Sequence, residues 1–307
     1  MVQDVNLSEL MKGSYDLHMH TGPDVRPRKA DDYVMALRFK AAGMKGFTIK
    51  SHFTSTAERA IMAHKYCPEV DVFGGVVLNN SVGGINPFVV ENNGQLGAKF
   101  VWFPTFDAEH DRPRLYKNMR MAIAMHLKMN DAGFETPGIR VVDENGKLIP
   151  EASYVLELCK EYGMICSTAH VSHEETFALA KRAHEIGYER LVIAHVDWKG
   201  TYYNVEEQKE LVKLGATLEH CYCTPCITHE QMFAEMKEVG TEHFIMCSDL
   251  GVPNTPKELV DFMFQGEMPF ADDGMKDFAR MALENGISAE EIRRMIVTNP
   301  EYLLGKR

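Results

Sequence analysis

Eight short apolar runs recur along this chain, each followed by a polar or Gly-rich stretch and then a helical pattern. They are Tyr15–His18, Gly46–Ile49, Val72–Leu78, Lys99–Phe103, Gly163–Thr168, Leu191–Ala194, Ala216–Cys221 and Phe244–Cys247. Runs apolar on both faces suit strands of a parallel sheet that is covered on both sides. Amphipathic helices are expected over Ala30–Ala42, Ala152–Tyr162, His173–Ile186, Val205–Leu214 and Glu230–Val239. Gly43, Gly97, Gly163, Gly187, Gly215 and Gly240 stand just ahead of six of the runs, where a left-handed residue ends a helix.

The strand ends are evenly spaced. His20 to His52 is 32 residues, His52 to Asn79 is 27, Asn79 to Thr105 is 26, His170 to His195 and His195 to His220 are 25 each, and His220 to Asp249 is 29. Only Thr105 to His170, at 65, is long. This rhythm predicts one domain over residues 1–307, a slightly distorted (β/α)8 TIM barrel with an insertion at about 107–150 and extra C-terminal helices; a seven-stranded incomplete barrel is the runner-up. The insertion carries a Met-rich helix over Leu115–Lys128 and a hairpin over Ile139–Leu148 turned at Asn145-Gly146, and reads as a lid or an oligomer contact. Helices are expected after Asp249 over Pro256–Phe264, Gly274–Glu284, Ser288–Val297 and Pro300–Leu304.

Composition narrows the partners. A net charge of −11 argues against nucleic acid and anionic membrane, and no apolar run approaches the roughly 18 residues of a membrane span. The polar opening lacks the pattern of a signal peptide. The seven cysteines have no framework spacing and suit reduced thiols in the cytoplasm. A small-molecule substrate is expected, and a homo-oligomer is open.

Metal-capable side chains collect at the C-terminal strand ends, the functional face of such a barrel. The first strand ends Asp16-Leu17-His18-Met19-His20. Residues two apart on a strand share a face, so Asp16, His18 and His20 should point one way. The second ends Lys50-Ser51-His52, the fifth at His170, the sixth at His195 and the eighth at Ser248-Asp249. Imidazole and carboxylate ligands suit Zn²⁺ above all, and also Mn²⁺, Fe²⁺ or Ni²⁺.

The HxH of His18 and His20, single histidines at His170 and His195, and Ser248-Asp249-Leu250-Gly251 together resemble the amidohydrolase superfamily of metal-dependent hydrolases, as does the tail from Gly286 to Gly305. The resemblance implies that His18, His20 and Asp249 hold one divalent metal and that His170 and His195 complete the site or hold a second ion. It implies a metal-activated water attacking a small-molecule amide, cyclic amide or lactone, with Asp249 as the catalytic base and then acid. Asp16 would orient an imidazole. The family's bridging Lys or Glu at the end of strand four is absent, since this strand reads Phe100-Val101-Trp102-Phe103-Pro104-Thr105; Asp107 or Glu109 would have to reach in from the loop. His18-Met19-His20-Thr21 and His52 also resemble PHP phosphoesterases, in which His52 would be a metal ligand, but the acidic residue of their third strand is replaced by Asn79. A metal-binding barrel without hydrolytic activity is the third reading.

Several further residues are candidate substrate contacts. Lys50 is a metal bridge if carboxylated, a substrate cation or an ion-pair partner. Arg26 and Arg28 stand where they could clamp an anion. Asn79 and Thr105 end strands three and four. Of Glu219 and His220 one must point inward. His173 is also a candidate, although Ser172 and Glu175 form a capping-box spacing that places it at a helix start. Cys221, Cys223 and Cys226 form a C-x-C-x-x-C cluster that reads as buried or loop thiols.

Overall fold

The computed structural model describes residues 5–111, 137–198, 200–223, 226–254 and 267–306. The helices expected over Leu115–Lys128 and Pro256–Phe264 lie outside the described residues. The strands are β1 Tyr15–Met19, β2 Gly46–Ile49, β3 Asp71–Phe73, β4 Gly75–Val77, β5 Phe100–Trp102, β6 Ile165–Ser167, β7 Leu191–Ile193, β8 Thr217–Cys221 and β9 Phe244–Cys247. All pair in parallel, in the orders β1-β2-β3 and β4-β5-β6-β7-β8-β9.

The third apolar run is thus split in two at Gly74. Thr56, just after β2, donates its N–H to the Gly75 carbonyl at 2.9 Å and accepts the Gly75 N–H on its hydroxyl at 2.9 Å. Its backbone lies so close that a Cβ at Gly74 would sit 2.5 Å from the Thr56 carbonyl oxygen. At the other seam, Asp249 N–H donates to the His18 carbonyl and His20 N–H to the Leu250 carbonyl, each at 2.7 Å, which joins the end of β9 to β1. With β3 and β4 counted as one strand, the arrangement is a (β/α)8 barrel.

Helices α1 Leu7–Met11, α2 Asp32–Ala42, α3 Ala57–Tyr66, α4 Pro87–Gln95, α5 Pro150–Glu161, α6 His173–Glu185, α7 Val205–Lys213, α8 His229–Val239 and α9 Ala271–Glu284 alternate with or follow the strands. α3 and α4 were not singled out by their periodicity. Ser172 with Glu175 and Asn204 with Glu207 form capping boxes that start α6 and α7. The segment after α9 runs through α10 Ala289–Arg293, a π turn Arg294–Thr298 and α11 Asn299–Leu303. Pro300 has no N–H to give the preceding turn, which suits a widened turn just ahead of it. In the insertion, Val142 bridges Leu148 in antiparallel fashion and Gly146 turns between them at φ 73°, a minimal version of the expected hairpin.

Two apolar layers follow from strand alternation. Tyr15, Leu17, Val77, Phe100, Trp102, Ile165, Val192, Cys221, Ile245 and Cys247 fill the barrel interior, joined by Leu303 and Leu304 of the C-terminal segment. Phe47, Ile49, Val101, Phe103, Leu191, Ile193, Leu218, Phe244 and Met246 face outward to the helices.

Candidate active site

β1 departs from strict alternation. Its register against β2 shifts between Asp16 and Met19, a bulge of the kind that re-aims side chains. Leu17 belongs to the interior and Met19 to the outer layer, and His18 turns to the interior groups between them. Asp16 does not join the imidazoles as the two-residue period suggests. Its Oδ1 accepts the N–H groups of His18 at 3.2 Å and Ser248 at 3.1 Å, tying the first strand to the last.

His18 is fully buried, with Nδ1 3.0 Å from Glu219 Oε1 and Nε2 3.1 Å from Asp249 Oδ1. His20 donates from Nδ1 to the Lys50 carbonyl at 2.8 Å and places Nε2 3.1 Å from the same Asp249 oxygen. His170 holds Asp111 Oδ2 at 2.7 Å with Nδ1. All three imidazoles therefore have Nδ1 engaged by an acceptor, which at His20 and His170 leaves Nε2 for a cation, whereas His18 Nε2 also meets Lys50 Nζ at 2.7 Å. His195 lies within 5.0 Å of His18 and 5.4 Å of His170, ring centre to ring centre, with Trp198 packed on both His170 and His195. His18, His20 and Asp249 bring three ligand atoms together within 4.8 Å of one another, and His18, His195, Glu219 and Cys221 bring four together within the same distance. His170 belongs to neither set, standing one ring behind His195.

The backbone at this mouth is strained. Ala169, His195 and Asp249, at the ends of β6, β7 and β9, have φ of 52°, 53° and 50°. Left-handed non-glycine residues cost on the order of 1–3 kcal/mol each and persist where their surroundings over-determine them. Gly251 lies beside the HxH segment at φ 144°, and a Cβ there would sit 2.0 Å from the His20 carbonyl oxygen. Gly251→Ala is expected to destabilise the fold by about 1–3 kcal/mol through this overlap. An unchanged thermal midpoint by circular dichroism would refute that.

Electrostatics leaves most of these groups in the unprotonated form that a metal ligand needs. Burial pulls His20, His52 and His170 well below their ordinary pKa, and His195 down to about 3. Burial pushes Asp249 up, but the charge and hydrogen bonds of His18 and the bond from His20 outweigh it and hold the carboxyl well below its usual range. Glu219 is likewise held at about 2, burial being outweighed by His18. His18 is the exception. Burial and Lys50 lower it, but Glu219 and Asp249 together push it up to about 9. Lys50 is buried with Nζ 2.7 Å from His18 Nε2, and burial lowers its pKa.

The remaining sequence candidates divide into a rim and an outside. His52 Nδ1 is 2.9 Å from the Thr105 hydroxyl, and its ring lies between His20 and Phe106. Asn79 donates to both the Thr105 hydroxyl and the His52 carbonyl. His52, Asn79 and Thr105 thus form one braced wall beside His20. Arg28 is paired with Asp24 at 2.6 Å, and Arg26 lies over the Phe106 ring at 5.7 Å. Glu219 points inward. His220, next on β8, turns to the outer layer, 3.0 Å from Asp197 and stacked on Phe244. His173 opens α6, stacks on Tyr203 and contacts Glu207, away from the ligand sets. Asp107 accepts the Asn80 N–H and Glu109 faces Arg140 outside, so neither reaches the imidazoles.

Sequence reasoning missed Asp111 and Trp198. Each lies in a loop beyond a strand end, where no periodicity marks a side chain as inward. Asp111→Asn is expected to weaken cation binding about 10- to 100-fold by loosening His170. A chelator-competition titration checks this, and wild-type affinity in the variant would refute it.

The fold is shared with solved proteins of low sequence identity. An amidohydrolase from Pseudomonas aeruginosa aligns over 98% of this chain and 98% of its own, with TM-score 0.58 and 12% identity. A probable dipeptidase from the same organism aligns over 97% and 96%, with TM-score 0.61 and 10% identity. An organophosphorus hydrolase from Deinococcus radiodurans aligns over 98% and 94%, with TM-score 0.57 and 14% identity. No curated protein matches by sequence. The (β/α)8 barrel is therefore a fold that this chain shares with these three proteins. By sequence, residues 13–219 match the family of unknown function DUF6282, and the chain belongs to that family.

Proposed function

We propose that this protein is a metal-dependent hydrolase that acts on a small-molecule amide, cyclic amide or lactone. The observation that carries the reading is the convergence of His18 Nε2, His20 Nε2 and the Asp249 carboxylate at one strained barrel mouth. Hydrolases among the fold's solved relatives support the general reaction kind. His18, His20 and Asp249 would hold the divalent cation, most naturally Zn²⁺, with His195 and His170 alongside. The bound cation supplies Lewis acidity, lowering the pKa of water and polarising a carbonyl.

The chain's own groups supply the rest. Asp249 is ionised and can accept a proton from water at Oδ1 or Oδ2, then return it to the leaving nitrogen or oxygen. Trp198 and Phe106 flank the imidazoles and keep bulk water from them. The phosphoesterase reading gains no support from the third strand, because Asn79 spends its amide bracing Thr105 and His52.

Elemental analysis of protein prepared without chelator or nickel resin tests the reading. At least one equivalent of divalent metal is expected, together with turnover on a panel of lactones, cyclic amides and dipeptides. Absence of metal even after supply of Zn²⁺ and Mn²⁺ would sink it. Affinity should also depend on pH in a set direction. The His18 proton, held up to about 9, must leave before Nε2 can bind a cation. Zinc affinity is thus expected to fall about tenfold per pH unit as pH drops from 8.5 to 7. Chelator competition at several pH values checks this, and a flat profile would contradict it.

A further inference from the structure

The interior of β8 holds a second group of ligand atoms that the hydrolase reading leaves unused. Glu219 and Cys221, two apart on one strand, both face the barrel interior and are fully buried. Cys221 Sγ lies 3.4 Å from Glu219 Oε1 and 3.7 Å from His18 Nδ1. Together with His195, one ligand atom from each of these residues falls within 4.8 Å of the others. Glu219 uses Oε1 to accept from His18 Nδ1, while its Oε2 is buried with no hydrogen-bond partner. An ionised oxygen in that position costs several kcal/mol unless a cation or donor meets it.

Strand β5 offers nothing comparable. The Trp102 indole fills its interior face and the Thr105 hydroxyl is spent on His52 and Asn79. From this we infer a second cation subsite formed by the Glu219 carboxylate, the Cys221 thiolate and His195, next to the His18 imidazole that Glu219 Oε1 accepts from. Binding breaks the Cys221 S–H bond, places the sulfur electron pair on the cation and releases the proton to solvent. A thiolate among the ligands selects Zn²⁺ or Co²⁺ over Mn²⁺ or Mg²⁺. Of the C-x-C-x-x-C cluster, only Cys221 takes part. Cys223 bonds the Asp249 carbonyl through sulfur at 3.2 Å and Cys226 is exposed.

This inference rests on the proposed metal-dependent reading, and one set of measurements separates the two. The wild-type protein is loaded with Zn²⁺ for elemental analysis and with Co²⁺ for absorption spectroscopy. Two equivalents of zinc and a near-ultraviolet thiolate-to-cobalt charge-transfer band are expected. Cys221→Ser should remove the band, Glu219→Gln should lower zinc from two equivalents to one, and Cys223→Ser should leave both unchanged. One equivalent without a thiolate band in the wild type overturns this subsite and leaves the hydrolase reading standing. A band that survives Cys221→Ser overturns it as well. No bound cation of any kind defeats both readings. The wild-type spectrum decides the matter even where a variant fails to fold.

Discussion

Asp249→Asn is expected to lower kcat/KM by about 10²- to 10⁴-fold on whichever substrate of the panel is turned over, the range of a lost general acid–base. The amide keeps the shape of the side chain and one oxygen, so contacts with His18 and His20, now 3.1 Å each, are weakened rather than deleted. Cation is expected to remain partly bound. A steady-state assay beside elemental analysis separates the two effects. Full turnover in the Asn variant would remove Asp249 from the proton path and shift the role to another ionised group of the site, Glu219 being nearest to His18. Complete loss of the cation would instead make Asp249 chiefly a ligand.

Removing His18 should have the second large effect, on binding and stability together. The imidazole lies between Glu219 and Asp249, both held ionised in part by its charge. His18→Ala leaves the fully buried Glu219 carboxylate without its ion-pair partner, and breaking a buried pair from one side costs about 3–5 kcal/mol. The variant is expected to bind no cation at His20 and Asp249 and to unfold at clearly lower denaturant concentration. The double variant His18→Ala/Glu219→Gln should recover part of that loss, because the orphaned charge is gone. Denaturant titration by circular dichroism measures both, and a double variant no more stable than the single one would show that the Glu219 charge is not the cause.

These two residues also mark how far the sequence could be read. His18, His20, His170, His195 and Asp249 were legible because each closes an apolar run of a repeating unit, and the repeat fixes which end of the barrel they occupy. The βα rhythm and the helix-ending glycines were legible for the same reason: they are set by local periodicity and by φ, with Gly43, Gly97, Gly163, Gly187 and Gly215 all in the left-handed region. What the local pattern fixed was therefore the barrel and the candidate ligands of its mouth.

The tertiary structure alone decided how those groups are charged and supported. The bulge in β1 sends Asp16 to backbone amides and His18 to the interior, which a two-residue period cannot foresee. Asp111 reaches His170 across 59 residues, and Glu219 meets His18 across 201. Glu219 and His220 are neighbours in sequence with opposite destinations, one among the imidazoles and one behind the sheet. Hydrogen bonds between residues so far apart in the chain, and the burial that shifts their pKa values, exist only once the strands have closed around a common interior. Periodicity names the face of each strand, and only closure brings the faces together.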